Sequence, residues 1–252
     1  MLGRARKRTG KADESRPGLF FTGTDTGVGK TYVTAAVARI LRGQGRRVSV
    51  SKPVASGANQ LGDRWVSEDT LALAHAAGQL DELERITPWV FAEPLAPSVA
   101  ARRSGSALQL PDLLESVQRA RDRDAMLLVE GVGGLLCPIT DRETVAELAQ
   151  ALGYAVVIIA RRSLGTLNHT LLTIEAARSR GLPIAGLVMN EPTPAADLAA
   201  ETNVAELRRL AGLPILAVVP HAREAGTPAA LAEVDWWSLG HGIAAAGAEY
   251  VG

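Results

Sequence analysis

One segment, Gly23-Thr24-Asp25-Thr26-Gly27-Val28-Gly29-Lys30-Thr31, constrains this chain more than any other. It follows an apolar run at 19–22. It leads into a pattern in which Val33, Ala36, Val37, Ile40 and Leu41 share one helix face, ended by Gly43 and Gly45. Strand, glycine-rich turn and helix start, in that order, build a cradle for phosphate. Glycines let backbone N–H groups turn inward, and the helix start adds unpaired donors and the positive end of its dipole. Lys30 can reach terminal phosphates, and the Thr31 hydroxyl can ligate Mg2+. The usual pattern has a glycine five residues before Gly29. Here Thr24 stands at that position and the glycine comes one earlier, at Gly23.

The same alternation continues along the chain. Apolar runs at 19–22, 47–51, 125–130, 155–160, 184–189 and 215–219 read as strands, several of them continuous Val, Ile and Leu, which suits burial on both faces. Helical patterns occupy about 67–79, a stretch from Pro111 with Leu113, Leu114 and Val117 inward, 143–152, 166–180, 198–211 and 235–247. The prediction is an α/β fold, a single P-loop-type domain over 19–252 with a doubly wound, mostly parallel sheet. Ligands in such sheets bind beyond the carboxyl ends of the strands, so the residues there become candidates.

Lys52 ends the second run, where a second cation beside the phosphate loop can neutralise a transferring phosphoryl group. Glu130 ends the third run, the usual place for an acid that helps hold nucleotide-bound Mg2+, the alternative being a capped or paired carboxylate. Asp69 in Ser67-Glu68-Asp69-Thr70 reads two ways, as a metal ligand or as a first-turn acid favoured by the helix dipole. Asn190 closes the fifth run; it suits a turn, and its amide also carries the donor and acceptor needed to read an adenine edge. The four histidines, 75, 169, 221 and 241, show no metal-ligand spacing, and no nucleophile–base pair is recognisable.

Charge narrows the partners. Residues 1–18 hold six basic side chains against two acidic ones, a net of +4, so the rest of this net-neutral chain sums to −4. A mildly acidic body argues against a nucleic-acid surface, and no later basic stretch supplies one. The basic segment lacks the apolar core of a secretory signal; it reads as a nucleic-acid-binding arm or, since it has no aromatics and nothing that could pack, as a disordered extension, which is the expectation. Cys137, the only cysteine, rules out a disulfide framework and a cysteine-rich metal site, and is expected to be a small buried residue. The most apolar stretch, 155–160, is too short to cross a bilayer, so the expectation is a cytoplasmic protein with no membrane partner.

Taken together, these segments resemble the dethiobiotin synthetase family. The loop over 23–31, with its displaced glycine, is that family's variant of the phosphate loop. Lys52-Pro53-Val54-Ala55-Ser56-Gly57 is similar to its substrate loop, and Ser67-Glu68-Asp69-Thr70-Leu71 to the segment with its metal-binding aspartate. Ala92-Glu93-Pro94-Leu95-Ala96-Pro97, Val129-Glu130-Gly131-Val132-Gly133-Gly134 and Leu164-Gly165-Thr166-Leu167-Asn168-His169-Thr170 also match. The resemblance spans about 19–220. It implies a homodimer that takes ATP, Mg2+, CO2 or bicarbonate, and 7,8-diaminopelargonate. One substrate amine becomes a carbamate, ATP phosphorylates it, and the second amine closes a cyclic urea. The implied roles are catalysis by Lys30 and Lys52 and metal ligation by Thr31, Asp69 and Glu130. Nucleotide contacts are implied for Thr24, Asp25, Thr26, Gly27, Val28, Gly29, Lys30, Thr31, Asn190 and Pro220. Substrate contacts are implied for Thr26, Lys52 and Ser56, joined by Gly165 and Asn168 at a helix start of the partner subunit. Two positions depart from the pattern: Gly27 stands where relatives often carry an acid, and Glu191 where some have aspartate.

A partitioning or division-site ATPase switch of the same superfamily is the main alternative. Such proteins carry an extra lysine at the start of the loop, and Thr22, Gly23 and Thr24 supply none. The segment Asp235-Trp236-Trp237-Ser238-Leu239 also lacks the basic face of a membrane-targeting helix. A glutamine-dependent amidoligase would need a fused glutaminase domain with a cysteine nucleophile, which neither the length nor Cys137 suits.

Overall fold

The computed structural model describes residues 17–194, 198–221 and 226–246. The basic segment expected over 1–18 lies outside them except for Pro17 and Gly18, and Gly18 already begins the first strand. The chain opens with β1 (Gly18–Gly23), α1 (Lys30–Gly43), β2 (Val48–Ser51), β3 (Val54–Ser56), β4 (Asn59–Leu61) and β5 (Arg64–Val66). Then come α2 (Glu68–Ala77), α3 (Leu83–Ile86), β6 (Trp89–Phe91), α4 (Pro97–Arg103), α5 (Leu110–Ala120), β7 (Met126–Gly134) and α6 (Val145–Leu152). The last third holds β8 (Ala155–Arg161), α7 (Thr166–Arg178), β9 (Ile184–Asn190), α8 (Leu198–Leu210), β10 (Ile215–Val219), α9 (Ala229–Ala232) and α10 (Trp236–Ala246).

Six strands form one sheet in the order β10-β9-β8-β1-β7-β2, every pairing parallel. Alternate residues of each central strand enter different cores, which is why these runs are apolar throughout. Phe21, Leu128 and Val157 pack with Val33 and Val37 of α1, Leu73 of α2 and Trp236 of α10. Phe20, Leu127, Val129 and Val156 face Val117 of α5, Leu148 of α6 and Ile174 of α7 on the opposite side. The fold is thus the predicted doubly wound α/β sheet. Local chemistry fixes some ends: Thr144 and Glu147 form a capping box at the start of α6, and Gly78, at φ 71°, stops α2.

Two features depart from the sequence expectation. The strand expected over 125–130 continues to Gly134, because Gly134 still pairs with Gly23 of β1. Between Phe21 and Gly23 that pairing takes two steps of β1 against four of β7, so β7 bulges just beyond Glu130. In addition, β3 with β6 and β4 with β5 form two small sheets that no pattern announced.

Candidate active site

β1, β7 and β2 are neighbours, so their carboxyl ends bring three candidate segments together: the phosphate loop, Glu130 with its glycines, and Lys52. The loop ends at Gly29, which has φ 91° and leads directly into α1. Only glycine fits there, since a Cβ would lie 2.0 Å from Asn190 Nδ2. Gly23 is sterically fixed as well. A Cβ on it would meet Asp25 O and Val28 Cγ2, both at 2.8 Å, which accounts for a glycine here and not at Thr24. Lys30 Nζ donates to Asp25 O at 3.2 Å, and Thr24 N donates to Ile159 O of β8 at 3.0 Å.

Beside the loop, Lys52 Nζ donates to Glu130 Oε1 at 2.6 Å and lies 2.7 Å from Asp69 Oδ2. Thr31 Oγ1 donates to the same Glu130 Oε1 at 2.7 Å. Lys30, Lys52 and Glu130 are 7%, 3% and 1% exposed, whereas the Asp69 side chain is half-exposed. Burial works against the charge on Lys52, but Glu130 and Asp69 outweigh it and raise its pKa above the ordinary lysine value. For Asp69, burial is outweighed by the Lys52 ammonium 2.7 Å away, and its carboxyl is held below the usual range. Burial pushes the Lys30 ammonium down; Glu130 opposes this and Lys52 adds to it. The site therefore concentrates cations where anions would meet.

A cavity of about 500 Å³ opens over this cluster, lined by Thr26, Lys30, Thr31, Lys52, Ser56 and Asp69, with Pro94, Leu95 and Val132 as apolar walls. A larger groove of about 1000 Å³ lies at Arg64, Leu80 and Arg119. No phosphate-loop residue lines it, and its Arg85 is taken up by Glu82 and Asp122 at 2.6 and 2.7 Å, so the chemistry belongs to the smaller cavity.

The other candidates are distributed around this centre. Gly27 also lines the cavity; Asp25 is exposed at the loop tip, and Val28 is buried beneath the loop. Asn190 is 2% exposed at the end of β9, and its Nδ2 donates to Val28 O at 2.9 Å, behind the loop. Pro220 is exposed just beyond β10. Gly165 and Asn168, at the start of α7, are exposed and do not line the cavity. Glu191 is paired with Arg162 at 3.1 Å.

Two residues escaped the sequence reading. Cys137 is half-buried and lines the cavity, where a small buried residue was expected; the β7 bulge carries its neighbour Gly133 against it. Burial pushes its thiol pKa up, with Lys30 opposing. Arg161, the last residue of β8, donates to Thr26 O at 3.0 Å and pairs with Asp25 Oδ2 at 3.3 Å, pinning the loop tip. The strand-end rule that selects Lys52 selects Arg161 too, once β8 is extended by one residue.

Thr31, Asp69 and Glu130 offer a hydroxyl and two carboxylates, the hard oxygen donors Mg2+ prefers. Glu130 Oε2 is buried with no hydrogen-bond partner among the described residues, as a carboxylate reserved for a cation would be. No three His, Cys, Asp or Glu side chains cluster as a metal site among the described residues.

Comparison with known proteins agrees with this geometry. A family model described as an AAA domain matches residues 17–229. The chain is 47% identical over 203 residues to the ATP-dependent dethiobiotin synthetase BioD of Anaeromyxobacter dehalogenans (strain 2CP-C), covering 81% of this chain and 89% of the relative. It is 38% identical over 203 residues to the protein of the same name from Bacillus subtilis (strain 168), covering 81% and 87%. Among solved structures, a ParA family ATPase from Chlorobium tepidum TLS superposes with a TM-score of 0.50 at 16% identity, covering 83% of this chain and 86% of the other. The septum site-determining protein MinD of Pyrococcus horikoshii OT3, complexed with Mg-ADP, gives 0.50 at 17%, covering 93% and 99%. At such identities the likeness concerns the fold alone. Among the described residues no helix is long and apolar enough to cross a membrane.

Proposed function

The chain belongs to the dethiobiotin synthetase family, and from that premise we propose that it closes the cyclic urea of dethiobiotin from 7,8-diaminopelargonate, CO2 and ATP in the cytoplasm. The observation that carries the reading is the cation cluster: Lys30 and Lys52, both buried, at the floor of a cavity that runs from a phosphate loop to Ser56.

In the proposed reaction one substrate amine adds to CO2, forming an N–C bond and losing a proton, to give a carbamate. A carbamate oxygen attacks the terminal phosphorus of ATP, and ADP leaves. The second amine then attacks the carbamoyl carbon, phosphate departs, and the ring closes. Carbamate and triphosphate repel each other, so the site needs positive charge more than a general base. Lys30 sits where it can contact phosphate before and during transfer. Lys52 lies between the loop and the Ser56 end, where carbamate and phosphate would meet. Thr26 and Ser56 offer hydroxyls to the substrate, and Pro94 and Leu95 offer it an apolar wall. Thr31, Asp69 and Glu130 would hold Mg2+, which when bound neutralises phosphate charge. Asn190 and Pro220, side by side at the ends of β9 and β10, are assigned to the adenine, with Asn190 also bracing the loop.

The dimer is part of the proposal. Leu164 just before α7 and Leu172 within it are 85% and 60% exposed, and Leu136, 48% exposed, shares a groove with Leu172; together they offer apolar surface that a second subunit would cover. Gly165 and Asn168 on that surface would then complete the partner's cavity. The test of the reading is product analysis. Purified protein with ATP, Mg2+, bicarbonate and diaminopelargonate should yield dethiobiotin by mass spectrometry; consumption of ATP without that product would exclude the assignment.

A further inference from the structure

Lys52 touches both carboxylates assigned to the metal, at 2.6 and 2.7 Å, and shares Glu130 Oε1 with the Thr31 hydroxyl. Thus both acids already converge on one cation, the Lys52 ammonium, the Thr31 hydroxyl donates to one of them, and Glu130 Oε2 is buried with no hydrogen-bond partner among the described residues. We propose that Lys52 is the resident cation of the metal site: it holds the Asp69–Glu130 pair together in the free protein and is displaced from it when the metal binds. The inference rests on the proposed function only in taking Asp69 and Glu130 as metal ligands.

The physical case is one of charge and space. Glu130 is 1% exposed, so its charge needs a counter-ion at all times. The free protein supplies one from its own chain. A divalent ion approaching the same oxygens meets the ammonium at contact distance from both, and like charges so close repel strongly. Metal alone therefore binds weakly. Nucleotide phosphates tip the balance, because they offer the metal further ligands and give the displaced ammonium a new anion on the cavity side. Lys52 lines that cavity, which gives the released ammonium a place to turn toward. The same exchange delivers the Lys52 charge to the substrate side only once metal and nucleotide are in place.

The proposal predicts that the neutral variants Lys52→Met and Lys52→Gln bind metal without nucleotide at least about tenfold more tightly than the wild type. Mn2+ titration followed by the electron paramagnetic resonance of the free ion reads this directly, with no reliance on catalysis. Adding Glu130→Gln to either variant should remove the gain. A variant too unstable to purify in chelator keeps the test alive: it should fold in millimolar Mg2+, by circular dichroism, because the ion replaces the missing ammonium. Equal Mn2+ affinity in wild type and variants, a gain that survives Glu130→Gln, or a variant unfolded with and without Mg2+ would each overturn the proposal. Should dethiobiotin form normally in the wild type while Mn2+ affinity is unchanged in the variants, this inference fails and the functional reading stands.

Discussion

Replacing Glu130 by glutamine keeps the shape of the most buried acid in the site and removes its charge. In the folded chain Glu130 accepts from Lys52 and Thr31 through the same oxygen and is 1% exposed. Removing one partner of a buried ion pair costs about 3–5 kcal/mol, because the other charge stays buried without compensation. Two features reduce that here. The glutamine oxygen still accepts hydrogen bonds, and Asp69 remains 2.7 Å from Lys52, so the expected loss is about 2–3 kcal/mol. For a chain of this size that lowers the thermal midpoint by roughly 4–12 °C. Asp69→Asn is the matched control. Its side chain is 46% exposed, solvent screens the pair, and the loss should be about 0.5–1 kcal/mol. Turnover should respond otherwise. Both variants remove an assigned metal ligand, so both should lose at least about a hundredfold in phosphate release. Thermal unfolding by circular dichroism and phosphate release on the same samples separate the two effects. Equal stability losses would refute the burial argument, and near-normal turnover of Asp69→Asn would reduce Asp69 to a helix-dipole role.

Four further outcomes are expected. Lys30→Gln should weaken ATP use broadly and Lys52→Gln chiefly lower kcat; steady-state kinetics in which both merely raise the KM for ATP would dissolve that division of roles. Gly29→Ala should cost about 1–2 kcal/mol for its positive φ, plus about 1–3 kcal/mol for the collision with Asn190, and only the second part should return in the Gly29→Ala/Asn190→Ala double variant on urea unfolding. The Lys52 pKa is raised in the fold, so its stabilisation is full below the ordinary lysine value near pH 10.4 and fades only as pH rises through the higher folded value. Relative to Lys52→Met, wild type should keep its advantage in unfolding midpoint past about pH 10.4, and an advantage lost at neutral pH would contradict this. Mixed Lys30→Gln and Gly165→Trp subunits should regain activity if the site is completed in trans, since one of two sites in a heterodimer then carries neither defect; verified exchange without recovery would count against a shared site.

The sequence made the central sheet readable because each of its strands is a continuous apolar run, as burial on both faces requires. Boundaries held within a few residues, except where glycines extend β7. What escaped was short and non-local. β3 and β6 are three residues each, and Val54 pairs with Trp89 far along the chain, so neither has a periodicity to detect. The charged centre was legible for one reason: Lys30, Lys52 and Glu130 all terminate or follow strands that the sheet order brings side by side. Asn190 suits a turn or an adenine edge from its sequence alone, and nothing in its run foretells the hydrogen bond to Val28 or the close packing on Gly29. Cys137 was missed because a lone cysteine in a loop has no pattern at all; its place in the cavity follows from the β7 bulge.

The central claim is that this cavity joins a carbamate to a phosphate and then closes a ring. Incubation with 13C-bicarbonate, ATP, Mg2+ and diaminopelargonate tests it most directly, with mass spectrometry of the product and phosphate release read together. One labelled carbon in the ring carbonyl of dethiobiotin and one phosphate per ring are expected. Phosphate release that proceeds at the same rate without diamine or bicarbonate, and leaves no labelled product, would contradict it.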